Sequence, residues 1–153
     1  MKILFNEHPN KGFQRVGYCS YYGEIFYALE EVCEVTSSCG VPSRTSEFGS
    51  GYDAIVMGFG HTDCGDAGPM PTINDNNIPL FPILNKEYTG LKQKLEWIKN
   101  MKPTAALTVH HDTEEYSKIT GVPFHRIMWS ANGNLFKDYG EDYKYDLFFS
   151  GVT

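Results

Sequence analysis

The chain has 153 residues, 41% of them hydrophobic, a length and composition that suit one folded domain with a buried core. The formal net charge is −6 and the 13 Lys and Arg residues form no cluster, which argues against a surface for nucleic acid or for anionic membranes. No run of apolar residues is long enough for a transmembrane segment. The N-terminus becomes polar after five residues; a signal peptide needs a longer apolar region, which predicts a cytoplasmic protein.

Short apolar runs alternate with amphipathic segments along the chain. Strands are predicted at residues 2–6, 34–38, 52–60, 79–85, 105–109, 124–130 and 145–151. Helices are predicted at residues 20–33, 89–101 and 112–121, and loops at residues 61–77 and 131–142. Pro79 and Pro82 indicate an edge position or a short pairing for the fourth strand. The order predicts a single Rossmann-like domain over residues 1–153, an α/β three-layer sandwich with a mainly parallel sheet.

The cysteines match no metal-binding pattern. Their spacings fit no CxxC pair, and in a cytosolic protein free thiols are expected, with a disulfide framework as the alternative. The cysteines are Cys19, Cys33, Cys39 and Cys64.

Polar turns follow most of the predicted strands. Since ligands bind beyond the carboxyl ends of the strands in an open parallel sheet, these turns are expected to line one crevice. The turns are residues 7–18, 58–66, 85–88, 110–112 and 130–134, the last of which contains Asn132.

The first turn contains Gly12, Arg15 and Gly17. Glycines let backbone N–H groups approach a ligand, and the start of the following helix favours anions. The spacing is neither a P-loop nor a dinucleotide-binding fingerprint. Ligand contact and a solvated loop are both open interpretations.

The third turn offers His61 and Asp63, beside Cys64 and Asp66. Together with residues 110–112 these side chains could form a zinc site, although their spacing fits no defined pattern. The aspartates are also good turn formers. A metal-dependent hydrolase built on residues 61–64 and 110–112 is therefore one functional hypothesis.

Two further turns carry candidate catalytic groups. Lys86 could hold a phosphate or a sugar hydroxyl, and Glu87 could act as a base or simply stabilise the start of the next helix. In the turn after the fifth strand, Asp112 is expected to cap a helix. One of His110 and His111 is expected to point inward and the other toward the crevice, because neighbours on a strand face opposite sides.

Several blocks of the sequence carry a family resemblance. They are PLFPILNKEY, KLEWIKNMKP, TVHHDTEEYSKITGVPFHRIMWSAN and YDLFFSGV, and MKILF with its glycine-containing loop fits a first β-α unit. This pattern resembles the N-terminal half of GT-B glycosyltransferases of the spore-maturation type, a group that includes viral and bacterial surface-glycan enzymes. Complete members are more than twice as long, and the nucleotide-sugar half is absent from these 153 residues.

The resemblance implies a division of labour between two halves. The half present here would bind a glycan or another hydroxyl acceptor, and the missing C-terminal half would bind the nucleotide-sugar donor, with no metal or cofactor. The resemblance places candidate catalytic residues at turns that line the cleft: His61, Asp63, Glu87, His110 and His111. The expected substrate-binding residues are Gly12, Arg15, Gly17, Lys86, Asp112 and Asn132. The alternative to a transferase domain is a standalone, non-catalytic sugar- or nucleotide-binding module with a flavodoxin-like fold.

Overall fold

The structure, a computed structural model, describes residues 1–6, 21–38, 42–58, 71–84 and 90–127, with only the backbone of residues 21–24. The strands are β1 (Lys2–Asn6), β2 (Glu34–Ser38), β3 (Ala54–Gly58), β4 (Leu80–Leu84), β5 (Ala106–Thr108) and β6 (Phe124–Arg126). The helices are α1 (Tyr21–Glu30), α2 (Leu91–Met101) and α3 (Thr113–Thr120), with a short 3-10 helix at Thr45–Phe48. The predicted strand at 145–151 and the predicted loop at 131–142 lie outside the described residues. No helix in the described ranges has the length and apolar character needed to cross a membrane.

The described strands form one parallel sheet in the order β2-β1-β3-β4-β5-β6. The predicted α/β fold with a mainly parallel sheet is therefore confirmed, and the architecture is Rossmann-like. The direction of the strand order reverses at β1, because β2 lies on one side of β1 and β3 lies on the other. In open α/β sheets such a reversal marks the place where ligands bind, beyond the carboxyl ends of the strands on either side.

Apolar side chains cover both faces of the sheet. On one face, Phe26 of α1 packs edge-on against Phe5, with ring centroids 5.9 Å apart. On the opposite face, Ile98 of α2 lies in a core shared with α3, β4, β5 and β6. Crossovers between parallel strands are right-handed. The chain crosses the sheet in one direction through α1 and in the opposite direction through α2, so the two helices lie on opposite faces.

The fourth strand is central, between β3 and β5, so the predicted edge position is wrong. The predicted short pairing holds on one side, since β4 and β5 pair only through Ile83–Leu107 and Leu84–Thr108. The N–H and C=O of Leu80 both bond to Thr104, and alternation along the strand turns the nitrogen of Pro82 to the same side. The missing N–H of Pro82 therefore faces the segment just before β5 begins. Its absence removes little of the hydrogen bonding between β4 and β5.

The connection from β2 to β3 contains a 3-10 helix, Thr45–Phe48, where a crossover α-helix would be usual. Asp75 fastens this short helix to the segment that leads into β4. Its Oδ1 accepts a hydrogen bond from the Ser46 N–H at 2.8 Å, and its Oδ2 accepts one from Arg44 at 3.1 Å. The buried Thr45 hydroxyl accepts a hydrogen bond from the Asp75 N–H at 2.9 Å. The 3-10 helix thus has a fixed position over the sheet.

Candidate functional site

Of the residues predicted to form the site, the structure describes His110, His111 and Asp112, and it brings them together. The others lie outside the described residues: Gly12, Arg15, Gly17, His61, Asp63, Lys86, Glu87 and Asn132.

The turn that carries these three side chains joins β5 to α3. The Thr108 side chain, at the end of β5, accepts a hydrogen bond from the His110 N–H at 3.1 Å, which turns the chain sharply away from the strand. The C=O of Asp112 accepts the first bond of α3, from the Tyr116 N–H at 3.0 Å. The three side chains therefore lie at the carboxyl end of a strand, as predicted. A hydrogen bond at each end of the turn fixes its backbone.

His110 and Asp112 lie at ion-pair distance from one another. Nδ1 of His110 lies 3.1 Å from Oδ2 of Asp112, and the Tyr116 hydroxyl lies 3.4 Å from the same nitrogen. The His110 ring is stacked on that of Tyr116 at 6.1 Å, and Tyr116 in turn packs edge-on against Phe124 in the core. This chain of contacts gives a partly exposed imidazole a defined orientation.

The second histidine lies farther from the carboxylate and is more exposed. Nε2 of His111 is 3.9 Å from Oδ1 of Asp112, and its side chain is 74% exposed against 39% for His110. The two imidazole rings are stacked, with centroids 4.6 Å apart and planes 11° from parallel. The expectation that one histidine points inward and the other outward is therefore wrong. Strand β5 ends at Thr108, so the alternation of a strand no longer applies at residues 110 and 111.

Asp112 occupies the N-cap position of α3, as predicted, but its side chain makes no capping hydrogen bond. Its carboxylate oxygens are directed toward the two imidazoles instead. A carboxylate that gives up a favourable cap in order to contact histidines fits a role in orienting an imidazole better than a role in helix stability.

His110, His111 and Asp112 are also the residues among those described that could hold a metal ion. One ligating atom from each lies within 4.8 Å of the others. A tetrahedral zinc ion with ligands at about 2.1 Å needs those atoms about 3.4 Å apart. Near-parallel rings also direct their in-plane lone pairs along separate planes rather than at a common point. At least one ring would have to rotate before both histidines could bind one ion, so the observed arrangement favours a histidine–carboxylate pair over a shared metal ion.

The His110–Asp112 pair can act as a base. When Nδ1 carries the proton and donates it to the carboxylate, Nε2 is left with a free lone pair that can accept a proton from a bound hydroxyl. The carboxylate then stabilises the imidazolium that forms.

Sequence reasoning did not select two residues that support this pair. Tyr116 lies four residues after Asp112, on the same face of α3, and that helical spacing is the signal that could have identified it. Thr108 is the last residue of a buried strand, but its sequence context does not show that its hydroxyl shapes the following turn. Neither residue carries chemistry by itself, and both act on the position of His110.

A third residue that sequence reasoning missed lies at the reversal of the strand order. Asn6 ends β1 beside Met57 of β3, and its side chain is only 6% exposed. In the part of the chain that the structure describes, its Oδ1 is a buried acceptor without a hydrogen-bond partner. Buried polar atoms are nearly always paired, so the partner of this one is expected beyond the described residues, at the reversal of the strand order.

Comparison with known proteins adds no family to this description. No family model matches the chain, and neither a curated protein nor a solved structure is significantly similar to it. The fold and the site therefore define a class: a Rossmann-like α/β protein whose all-parallel sheet carries a histidine–aspartate pair at the carboxyl end of β5.

Proposed function

We propose that this chain is the N-terminal, acceptor-side domain of a GT-B glycosyltransferase, which moves a sugar from a nucleotide-sugar donor to a hydroxyl acceptor. The likeness of its sequence blocks to that half, the Rossmann-like sheet and the strand-end position of the polar residues support the proposal. The observation that carries it is the close pair of His110 and Asp112, whose Nδ1 and Oδ2 atoms lie 3.1 Å apart.

In this proposal the acceptor hydroxyl lies against Nε2 of His110. In a direct displacement, the acceptor oxygen forms a bond to the anomeric carbon while the bond from that carbon to the donor phosphate breaks. The hydroxyl proton passes to Nε2 of His110, and the nucleoside diphosphate leaves with the bonding electrons. Asp112 keeps the imidazole in the required tautomer and stabilises its positive charge during the transfer. The donor would be held by the second half that the resemblance implies.

His111 has a separate role in the proposal. Its ring is exposed and lies flat against that of His110, so it extends the surface on which an acceptor ring can rest. Its longer distance to Asp112 makes it the less suitable base. We assign acceptor contact to His111 and proton transfer to His110.

Nuclear magnetic resonance of the ¹⁵N-labelled chain tests this function. Methyl glycosides and nucleotide-sugars are added separately, at millimolar concentrations, and the amide and imidazole signals of residues 108–116 are followed. We expect glycosides to shift the signals of His110 and His111, and His110→Gln to weaken that response. Unchanged spectra with every glycoside and nucleotide-sugar would reject the transferase assignment.

A second candidate function is a non-catalytic binding module. The order β2-β1-β3-β4-β5 is also that of flavodoxin-like proteins, which bind their ligand beside β1 and β3. In that case, added ligands should shift signals around Asn6 and Met57 and leave those of residues 110–112 unchanged. The same titration therefore separates the two functions.

A further inference from the structure

A cleft of about 390 Å³ lies on the sheet beside β1 and β2, away from the histidine pair. One side is formed by the end of β2, with Thr36, Ser37 and Ser38. The other side is formed by Glu47 and Phe48 of the 3-10 helix. The volume is within the range of sites for small molecules.

The cleft exists because the crossover from β2 to β3 is short. Helix α1 covers the opposite face of the sheet, where it packs on Phe5, and α2 covers this face over the central strands, where its Met101 reaches Leu4 of β1. The 3-10 helix has four residues and replaces a layer that an α-helix would usually fill. Part of the sheet surface over β2, around Thr36, is therefore left open.

The side chains around the cleft suit a ring that carries hydroxyl groups. The hydroxyls of Thr36 and Ser38, which share the Leu4 face of the sheet, can donate and accept hydrogen bonds. Within the described ranges no basic side chain is paired with the Glu47 carboxylate, which can accept two hydroxyl donors. Phe48, with Tyr52 near it, offers the apolar ring faces on which sugar rings pack.

Phosphate fits the cleft poorly. Among the described residues, none of the side chains that line it is basic, and a phosphate would face the negative charge of Glu47. The chemistry therefore favours the neutral, hydroxyl-bearing part of a ligand over a charged part.

Asn6 lies at the same end of the sheet as the cleft. It lies two residues after Leu4 on the same face of β1, and it pairs in register with Ser38 of β2. Its Oδ1 is buried and has no partner among the residues that the structure describes. Because this atom has almost no exposed surface, a ligand in the cleft would contact the hydroxyls of Thr36 and Ser38 rather than Asn6.

The walls of the cleft are fixed in position before any ligand arrives. Asp75 binds the 3-10 helix through the backbone N–H and the hydroxyl of Ser46, at 2.8 and 3.0 Å. Thr45 is 1% exposed and bonds to the same segment. A ligand would therefore meet a preformed surface, and little binding energy would be lost in ordering it.

We propose that this cleft binds a hydroxyl-rich five- or six-membered ring, either a monosaccharide unit or the ribose of a nucleoside. Glu47 and the β2 hydroxyls bind the hydroxyl groups, and Phe48 contacts the apolar face of the ring. The site is separate from the His110–Asp112 pair and does not depend on the glycosyltransferase assignment.

The test is an NMR titration of the ¹⁵N-labelled chain with methyl β-glucoside, methyl β-galactoside and uridine, each added alone. We expect at least one of these to shift the amide signals of residues 36–38 and 47–48 at saturable concentrations. A response to the glycosides identifies a sugar unit as the ligand, and a response to uridine identifies a ribose. Glu47→Gln should weaken the affinity roughly tenfold, because a hydrogen bond to a charged acceptor is replaced by one to a neutral group.

Glu31→Gln is the matched control, because Glu31 is exposed and does not line the cleft. It should leave the affinity unchanged. Signals that shift only at residues 108–116 would overturn this proposal and leave the proposed transferase function standing. An affinity equally unaffected by Glu47→Gln and Glu31→Gln would also overturn it.

Discussion

The backbone N–H of Ser46 donates a hydrogen bond to the Asp75 carboxylate at 2.8 Å, across a gap of 29 residues in sequence. The Ser46 hydroxyl and the Arg44 guanidinium reach the other carboxylate oxygen, at 3.0 and 3.1 Å. The hydrogen bond from the Ser46 N–H is the main reason that the pKa of Asp75 is lowered from its ordinary value of 3.8. Partial loss of hydration opposes it as the next largest effect, and the Ser46 hydroxyl and Arg44 add to the lowering. One carboxylate thus caps the 3-10 helix and fastens it to the segment before β4.

This arrangement predicts an acid-sensitive contribution to stability. Because the pKa of Asp75 is lower in the folded chain than in the unfolded chain, its contribution is present above pH 3.8 and is lost as the pH falls through the folded value. Asp75→Asn should lower the urea midpoint at pH 7, and the gap between variant and wild type should narrow at pH 3. A gap of equal size at both pH values would contradict the assignment. Asp53→Asn is a comparison variant, since Asp53 accepts a hydrogen bond from Lys2 elsewhere in the sheet.

Replacing Asn6 with leucine should stabilise the folded chain in the absence of ligand. The substitution removes a buried acceptor without a partner among the described residues, and it leaves a side chain of similar size on the sheet. We expect the free energy of unfolding to rise by about 1 kcal/mol, measured by urea denaturation. Asn6→Asp is the control, because a buried carboxylate in the same place should destabilise the chain. Loss of stability in Asn6→Leu would show that the side chain is already satisfied.

Substitution of Asp112 should change the tautomer of His110. In the wild type we expect the proton on Nδ1, directed at the carboxylate 3.1 Å away. Asp112→Asn can donate to Nδ1 as well as accept from it, so the proton should shift in part to Nε2. Imidazole ¹⁵N chemical shifts report the tautomer directly. His125, which is exposed on β6, is the internal reference and should not change.

Gly121 ends α3 with a positive φ of 72°, and its N–H donates to the Ser117 C=O at 2.9 Å. A Cβ at this position would meet no described atom within 4 Å, so the effect of a substitution comes from the backbone conformation alone. Gly121→Ala should lower the free energy of unfolding by about 1 kcal/mol in chemical denaturation. Gly121→Asn should lower it less, because asparagine tolerates this conformation better. Equal losses in the two variants would point to a steric cause.

The regular elements could be read from the sequence because local pattern and burial agree there. The apolar run at Lys2–Asn6 and the short segment Glu34–Ser38 were predicted with the bounds that the structure gives them. The edge position predicted for β4 was wrong because Pro82 removes a hydrogen-bond donor on only one side of the strand. Which strand lies on that side depends on the order of the whole sheet, and the sequence of β4 alone does not show it.

The site could be predicted in position but not in arrangement. A strand followed by two histidines and an aspartate was enough to place the cluster beyond β5. The stacking of His110 on His111 depends on where the strand stops, which the hydrogen bond to Thr108 decides. The cleft beside β2 could not be predicted because it arises where a 3-10 helix takes the place of a crossover α-helix. No sequence motif marks such a replacement.

The strand order has a consequence for how the chain folds. From Leu80 to Arg126, each strand pairs with the next one in sequence, and α2 and α3 complete a shared core within that stretch. Loops between these elements close over short distances at a small cost in chain entropy. The pairing of β1 with β3 instead joins residues about fifty positions apart. We therefore expect the carboxyl-terminal half of the sheet to gain structure earlier in refolding, and its amides to be protected from exchange before those of β1.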